Sequence, residues 1–443
     1  MNGFWHYFTS AVDPMSNVGF ARAIAEVTES GSPAWWLMVV LPFVAIVLPP
    51  ILVWFVYVVK PSAIRPPLPA QPGPIQPLVS VVIAGRNESE TIGQCIRGAL
   101  TCGYPNLEVI FVDDNSEDDS VAIARCAALC ATGTDRDGDR VRIFPSPRRN
   151  GKASSLNIGI RMARGEYIAI IDADSMIQYG SMQHWLLPFS DARVGGVAAN
   201  IRVNNSTASL LTRFQEIEYA LKYMAKYAQA RLNLLFVISG MGGLFRTEIL
   251  RRLGGFDTGL GDDRDLSTMI RKQRWRLAFS IDAVVWTTVP ATRYHLWRQR
   301  ARWRRNIVKI CLSKHRDLFV LGRYGFANAV LVIEVALIHI LIPVAFIAGL
   351  LSATFEYGPF ATPEILATAY WIILIYLIVG ALIARDLSGT PAPAHFPLIF
   401  LLPFYYLCLV ALPQYYAEIT ELLRIGAKHH YVPDHIWEEI PWW

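Results

Sequence analysis

Residues 79–92 read VSVVIAGRNESETI and residues 107–120 read LEVIFVDDNSEDDS. Each begins as a short run rich in Val and Ile and breaks into a polar turn with a helical pattern behind it. The runs YIAIIDAD (167–174) and GGVAANIRV (195–203) repeat the form, with helical stretches such as ETIGQCIRGALTC (90–102) between them. Continuous apolarity over so few residues means strands covered on both faces, as in parallel sheets. Residues 78–290 are therefore expected to form one α/β domain around such a sheet.

The rest of the chain is of another kind. Of its 443 residues 53% are hydrophobic and 17% charged, too apolar a balance for a wholly soluble protein. The excess is local. Residues 35–59, WWLMVVLPFVAIVLPPILVWFVYVV, carry no charge and exceed the roughly 20 residues that cross a bilayer. A Pro-rich tether follows at 60–77, and further apolar spans are expected at 326–351, 366–384 and 396–413. Pro397, Pro403 and Pro413 leave the last of these open to a re-entrant or interfacial course. Residues 291–325 read as amphipathic interfacial helices, and 293–323 hold ten Lys or Arg against one acid, Asp317. With Lys60, Arg65 and Arg385, that bias places the α/β domain in the cytoplasm.

The N-terminal extension, 1–34, lacks the ordered regions of a cleavable signal peptide, and 414–443 reads as an amphipathic tail. The six cysteines form no CxxC and read as free, buried thiols. A net charge of +5 is too mild to imply nucleic acid.

The polar ends of the strands carry the chemistry. Asp113 and Asp114 end the second strand, where ligands bind in doubly wound sheets. A carboxylate there accepts hydrogen bonds from a uracil ring or a ribose, or else caps the turn that follows. No GxGxxG follows the first strand, which counts against a dinucleotide dehydrogenase. Lys152, in RRNGKASSLNIGI (148–160), stands at a helix start that suits a diphosphate, or is a solvated surface lysine.

Asp172 and Asp174 end the third apolar run on one side of it. Two acids so close either sit in an ordinary turn or are costly unless a cation neutralises them, and hard carboxylate oxygens suit Mg²⁺ or Mn²⁺, which can bridge to diphosphate oxygens. In GGFDTGLGDDRDLSTMI (254–270), Asp262, Asp263 and Asp265 precede a helix. They complement its dipole, or include a general base that deprotonates an acceptor hydroxyl. In YHLWRQRARWRRNIVKICL (294–312) the arginines anchor to lipid headgroups. Gln299, Arg300, Arg302 and Trp303 add a platform for sugar and phosphate.

The ordered set VDDNS, GKASSLN, DAD, GDDRDLS and QRARW resembles the membrane-integrated family-2 glycosyltransferases of the hyaluronan, chitin and cellulose synthase type. The resemblance implies a GT-A catalytic domain, cytosolic, joined to transmembrane and interfacial helices in the plasma (inner) membrane. It implies a processive, inverting transferase that extends a growing polysaccharide from UDP-sugar donors and passes it across the lipid bilayer. Residue by residue, Asp114 would contact the uracil, Lys152 the diphosphate and Asp172 the nucleotide, while Asp174 would ligate Mg²⁺ or Mn²⁺. Asp263 would be the catalytic base. Arg300 and Arg302 would lie near the diphosphate, and Gln299 and Trp303 would line the acceptor site with Ser239 and Gly240. Ala84 and Glu88, around the end of the first strand, join the expected nucleotide-sugar contacts. Glu218 and Tyr219 resemble a helix packing beneath the acceptor site.

Gly261-Asp262-Asp263-Arg264 stands where the cellulose type has Thr-Glu-Asp, and looks more like hyaluronan synthases and the rhizobial chitin-oligosaccharide synthase. One span before the domain and three after it would make a narrow channel. A homodimer or accessory secretion subunits are therefore expected partners, and nucleic acid is not. Two rival readings remain: a transferase adding one sugar to a lipid, which QRARW disfavours, and a non-catalytic conduit, which the intact acids disfavour.

Overall fold

The computed structural model describes residues 76–132, 140–258, 263–320, 323–325 and 396–423, with parts of 328–381. The expected span at 35–59 and the tether, up to residue 75, lie outside the described residues, as do most of 326–351, about half of 366–384 and the tail beyond 423. The chain divides into two units, 1–49 with 334–373 and 50–333 with 374–443. Every element named below belongs to the second.

β1 (Val79–Gly85), β2 (Leu107–Asp113), β3 (Val141–Pro145) and β4 (Tyr167–Asp172) make a parallel half-sheet in the order β3-β2-β1-β4. α1 (Ile92–Leu100), α2 (Ser120–Thr132) and α3 (Lys152–Met162) are the crossovers that parallel pairing demands. β1 and β2 are buried almost throughout, as their unbroken apolar runs require. α1 turns Ile92, Cys95, Ile96 and Ala99 inward, residues spaced for one helix face. α3 lies so close that a Cβ on Gly159 would meet Val82 at 2.3 Å.

β5 (Met176–Ile177), α4 (Ser181–Leu186), β6 (Val194–Val203), α5 (Leu210–Arg231), β7 (Gly243–Arg246), α6 (Thr247–Leu253), α7 (Asp263–Lys272) and β8 (Arg276–Thr287) complete the domain. The eight strands lie in the order β3-β2-β1-β4-β7-β6-β8-β5. β7 runs antiparallel to β4 and β6, and β5 to β8, so the sheet is mixed rather than wholly parallel. β7 is reached from β6 through α5 and the loop 232–242.

α8 (Arg293–Val308) opens on a Thr292 cap and continues into a π segment, Lys309–Lys314. Phe396–Leu401 forms a 3₁₀ turn, Leu402–Phe404 one α turn and Tyr405–Ala411 a π segment, before α9 (Leu412–Leu422). Among the described residues this composite, over Pro397–Glu421, is the one helix long and apolar enough to cross a membrane. All six cysteines are free. Cys95, Cys102 and Cys311 are buried as expected, but Cys126, Cys130 and Cys408 are exposed. Cys126 and Cys130 stand four apart on the outer face of α2, away from the sheet.

Candidate active site

Strand register aligns the polar ends of the parallel half. Ala84 lies opposite Val112 on one side and Asp172 on the other, and Gly85 opposite Asp113. The strand order reverses at β1 and β4, the place where such sheets open a crevice. Ala84, Glu88, Asp114 and Asp172 therefore gather at one edge of the sheet.

The two aspartates ending β2 divide their work. Asp113 accepts the Ser116 amide at 3.0 Å and the Ser116 hydroxyl, so it caps its own turn, with Asn115 in the left-handed region at φ 60°. Asp114, 5% exposed, accepts the Asn150 amide at 2.7 Å, the Gly151 amide at 2.9 Å and the Ser155 hydroxyl at 3.2 Å. It thereby fixes the Asn150–Gly151 turn from which α3 starts with Lys152. Lys152 Nζ lies 2.5 Å from Asp172 Oδ1.

Asp174 follows two residues on. Burial, and then the charge of Asp172, push its carboxyl up to about 6. Burial also raises Glu88, with Asp174 and Asp172 adding to it. The three acids thus repel one another around Lys152, the electrostatic condition that a cation relieves. Among the described residues no three metal-ligating side chains are gathered as a cage. The donor set fits instead a cation bound through one or two carboxylates and completed by phosphate oxygens, as Mg²⁺ prefers.

α5 stands over this edge. Its Tyr219 hydroxyl is pushed up to about 12, chiefly by burial, and it feels Arg300 on one side and Asp174 and Asp172 on another. Glu218, on the same helix, is 1% exposed and accepts Arg300 Nη2 at 2.8 Å, the Tyr405 hydroxyl at 2.6 Å and Lys222 Nζ at 2.5 Å. Burial pushes the Glu218 carboxyl up, but Arg300 and Lys222 outweigh it and hold it at about 2.

Arg300 was expected beside the diphosphate. It is 1% exposed and turned into this ion pair instead, because the buried carboxylate of Glu218 demands a partner. Its guanidinium also lies 4.5 Å from the centre of the Trp303 ring, with Lys222 Nζ at 5.1 Å. Arg302, Trp303 and Gln299 are partly exposed along α8.

The third group lies at the start of α7. Asp263 Oδ2 accepts the Gly240 amide at 3.0 Å, and Ser239 Oγ accepts Lys226 Nζ at 2.6 Å. The structure so brings Asp263, Ser239 and Gly240 together, while Asp262 lies outside the described residues. α7 is anchored along its length. Ser267 Oγ accepts the Ile238 amide at 3.0 Å, and Arg271 donates to the carbonyls of Asn233 and Leu235. Asp265, fully buried, accepts Lys314 Nζ at 2.8 Å and contacts His315 Nε2 at 2.7 Å, and Lys314 Nζ also reaches Asp257 Oδ2 at 2.5 Å.

Sequence reasoning missed Lys222 and Lys226, and with them Lys314 and His315. The first pair follows Glu218 at intervals of four, the spacing of one helix face, which was the available signal. Lys314 and His315 gave none.

Residues 76–306, more than half of the chain, match the family described as "Glycosyltransferase like family 2". The chain belongs to that family and is a glycosyltransferase with a GT-A fold. A probable glycosyltransferase of Bacillus subtilis, YdaM, is 30% identical over 265 residues, 56% of this chain and 59% of that protein. The poly-beta-1,6-N-acetyl-D-glucosamine synthase of Staphylococcus aureus is 30% identical over 245 residues, 54% of this chain and 56% of that protein. The chain thus spans little more than half the length of the curated relatives it matches. A mannosyltransferase from Pyrobaculum calidifontis, solved with GDP-Man and Mn²⁺, superposes with a TM-score of 0.57 at 23% identity, covering 80% of this chain and 99% of that one.

Proposed function

We propose that this transferase is a processive, inverting polysaccharide synthase that draws on a UDP-sugar and extends a β-linked chain. The observation that carries the reading is α5. One helix pairs with the QRARW helix through Glu218 and with the Asp263 turn through Lys226, and its buried Tyr219 feels the charges of the acids at the sheet edge. Donor, leaving group and acceptor sites would then share one rigid support, as repeated transfer to a retained chain demands.

In this mechanism Asp114 and Asp172 bind the nucleotide with Ala84 and Glu88 beside it, and Lys152 and Arg302 face the diphosphate. Asp174 would hold a divalent cation, which would supply charge to stabilise the leaving diphosphate. Asp263 takes the proton of the acceptor hydroxyl. That oxygen forms the new bond to the anomeric carbon, whose bond to the diphosphate oxygen breaks with its electron pair leaving on the nucleotide. Trp303 and Gln299 hold the acceptor sugar. Arg300 takes part as a positioning residue beneath Trp303.

The names of the staphylococcal relatives make UDP-N-acetylglucosamine the first donor to try. The Lys/Arg pattern favours a multi-pass protein of the inner membrane with this domain in the cytoplasm, and partner subunits or a second copy around a secretion path. The test is incubation of membranes carrying the protein with radiolabelled UDP-glucose, UDP-N-acetylglucosamine and UDP-glucuronic acid, singly and in pairs. Polymer resistant to release by lipid extraction supports the reading; a single sugar on an extractable lipid would replace it with the non-processive alternative.

A further inference from the structure

Glu218, Lys222 and Lys226 occupy one face of α5 at intervals of four, and only the first has a counterpart in the motifs that suggested a synthase. Lys226 is partly buried and donates to Ser239 Oγ at 2.6 Å. The next residue, Gly240, donates its amide to Asp263 Oδ2 at 3.0 Å. A single turn therefore links the ammonium to the carboxylate.

We propose that Lys226 is the positioning cation of the general base: it fixes the Ser239–Gly240 turn against Asp263 and keeps that carboxylate ionised for proton abstraction. This deepens the assignment of Asp263 as the base and rests on it. A neutral side chain of the same length would leave Ser239 without its donor and Asp263 without an opposing charge on this side. Of the charged groups around Lys226, Asp263 favours the ammonium, while Lys222 on the same helix and Arg264 on α7 oppose it. Burial dominates and brings the ammonium down to about 8. The sign follows. Lys226 is charged below pH 8 and loses its proton as the pH rises through that value, so catalysis should fall there.

The test uses the full chain reconstituted in lipid vesicles, with UDP-N-acetylglucosamine as the probe donor, or UDP-glucose if only that is incorporated. Initial rates from pH 6 to 10 are compared for the native protein, Lys226→Met, Lys226→Arg and Asp263→Asn. UDP affinity of each variant reports that the domain is folded. The native profile should fall above pH 8. Lys226→Arg should retain at least a third of the native kcat at pH 7 and keep it beyond pH 9, because a guanidinium stays charged. Lys226→Met should lose tenfold or more in kcat with donor KM within twofold. An alkaline limb unchanged in Lys226→Arg overturns the inference even if Lys226→Met does not fold. Full activity in Asp263→Asn overturns the base assignment instead, whatever the lysine variants do.

Discussion

Arg300 and Glu218 meet at 2.8 Å with both side chains 1% exposed, so the first arginine of QRARW faces the protein interior. That pair joins α8 to α5, and Tyr405 brings the segment before α9 to the same carboxylate. Two further buried pairs, Arg304 with Glu418 at 3.2 Å and Lys309 with Glu421 at 3.5 Å, tie α9 to the basic helix. The polar face of the apolar composite helix is thereby pinned to α8 and the π segment that follows it.

Replacing Arg300 by Met should lower stability by about 3 kcal/mol, the low end for breaking a buried pair, since Lys222 and Tyr405 still hold Glu218. Thermal unfolding in detergent measures it, and an unchanged midpoint would show the pair to be dispensable. Glu218 lies below the ordinary carboxyl range, so its contribution is complete above pH 4.5 and is lost as the pH falls towards 2. Glu218→Gln should lack that part of the acid destabilisation.

Asp263→Asn should reduce transfer by about 10²–10⁴-fold, the usual contribution of a positioned base. The amide keeps one oxygen for the Gly240 N–H, so UDP binding should stay native. Calorimetric titration with UDP alongside the rate assay separates the two.

Removal of divalent metal with excess chelator should stop transfer, and Mg²⁺ or Mn²⁺ should restore it. Asp174→Asn should raise the metal concentration needed for half-maximal rate. Undiminished turnover in chelator would sink the assignment of Asp174.

Asp114→Ala removes the acceptor of two backbone amides and one hydroxyl, so the turn before Lys152 should loosen. Losing charge-assisted bonds of this kind predicts an affinity for UDP weaker by about 10–100-fold. Asp113→Ala touches only its own cap and should change affinity by less than threefold.

Trp303→Ala should slow chain elongation by roughly tenfold, a lost stacking contact of about 1–1.5 kcal/mol, and leave donor hydrolysis near native. Counting released UDP against incorporated sugar distinguishes these. Equal loss of both would remove Trp303 from the acceptor site.

Three strands of the parallel half, β1, β2 and β4, were legible because they are short, apolar and followed by polar turns, whereas β3, VRIFP, alternates in burial and was not read. The antiparallel β7 was not, since GLFR carries no periodicity of its own and takes its direction from β4 and β6. Asp263 and the Ser239–Gly240 turn were found by motif and do meet. Arg300 was placed in the right helix but assigned the wrong surroundings. A motif fixes a residue's position along the chain, whereas burial is decided by what a distant carboxylate such as Glu218 requires.

Lys314 holds Asp257 and Asp265 with one ammonium, and these two residues bracket the segment that leads into Asp263. The ends of that segment are thus set from outside it. One ammonium outside α7 thereby steadies the position of Asp263 from both directions along the chain, through Asp257 before it and Asp265 after it.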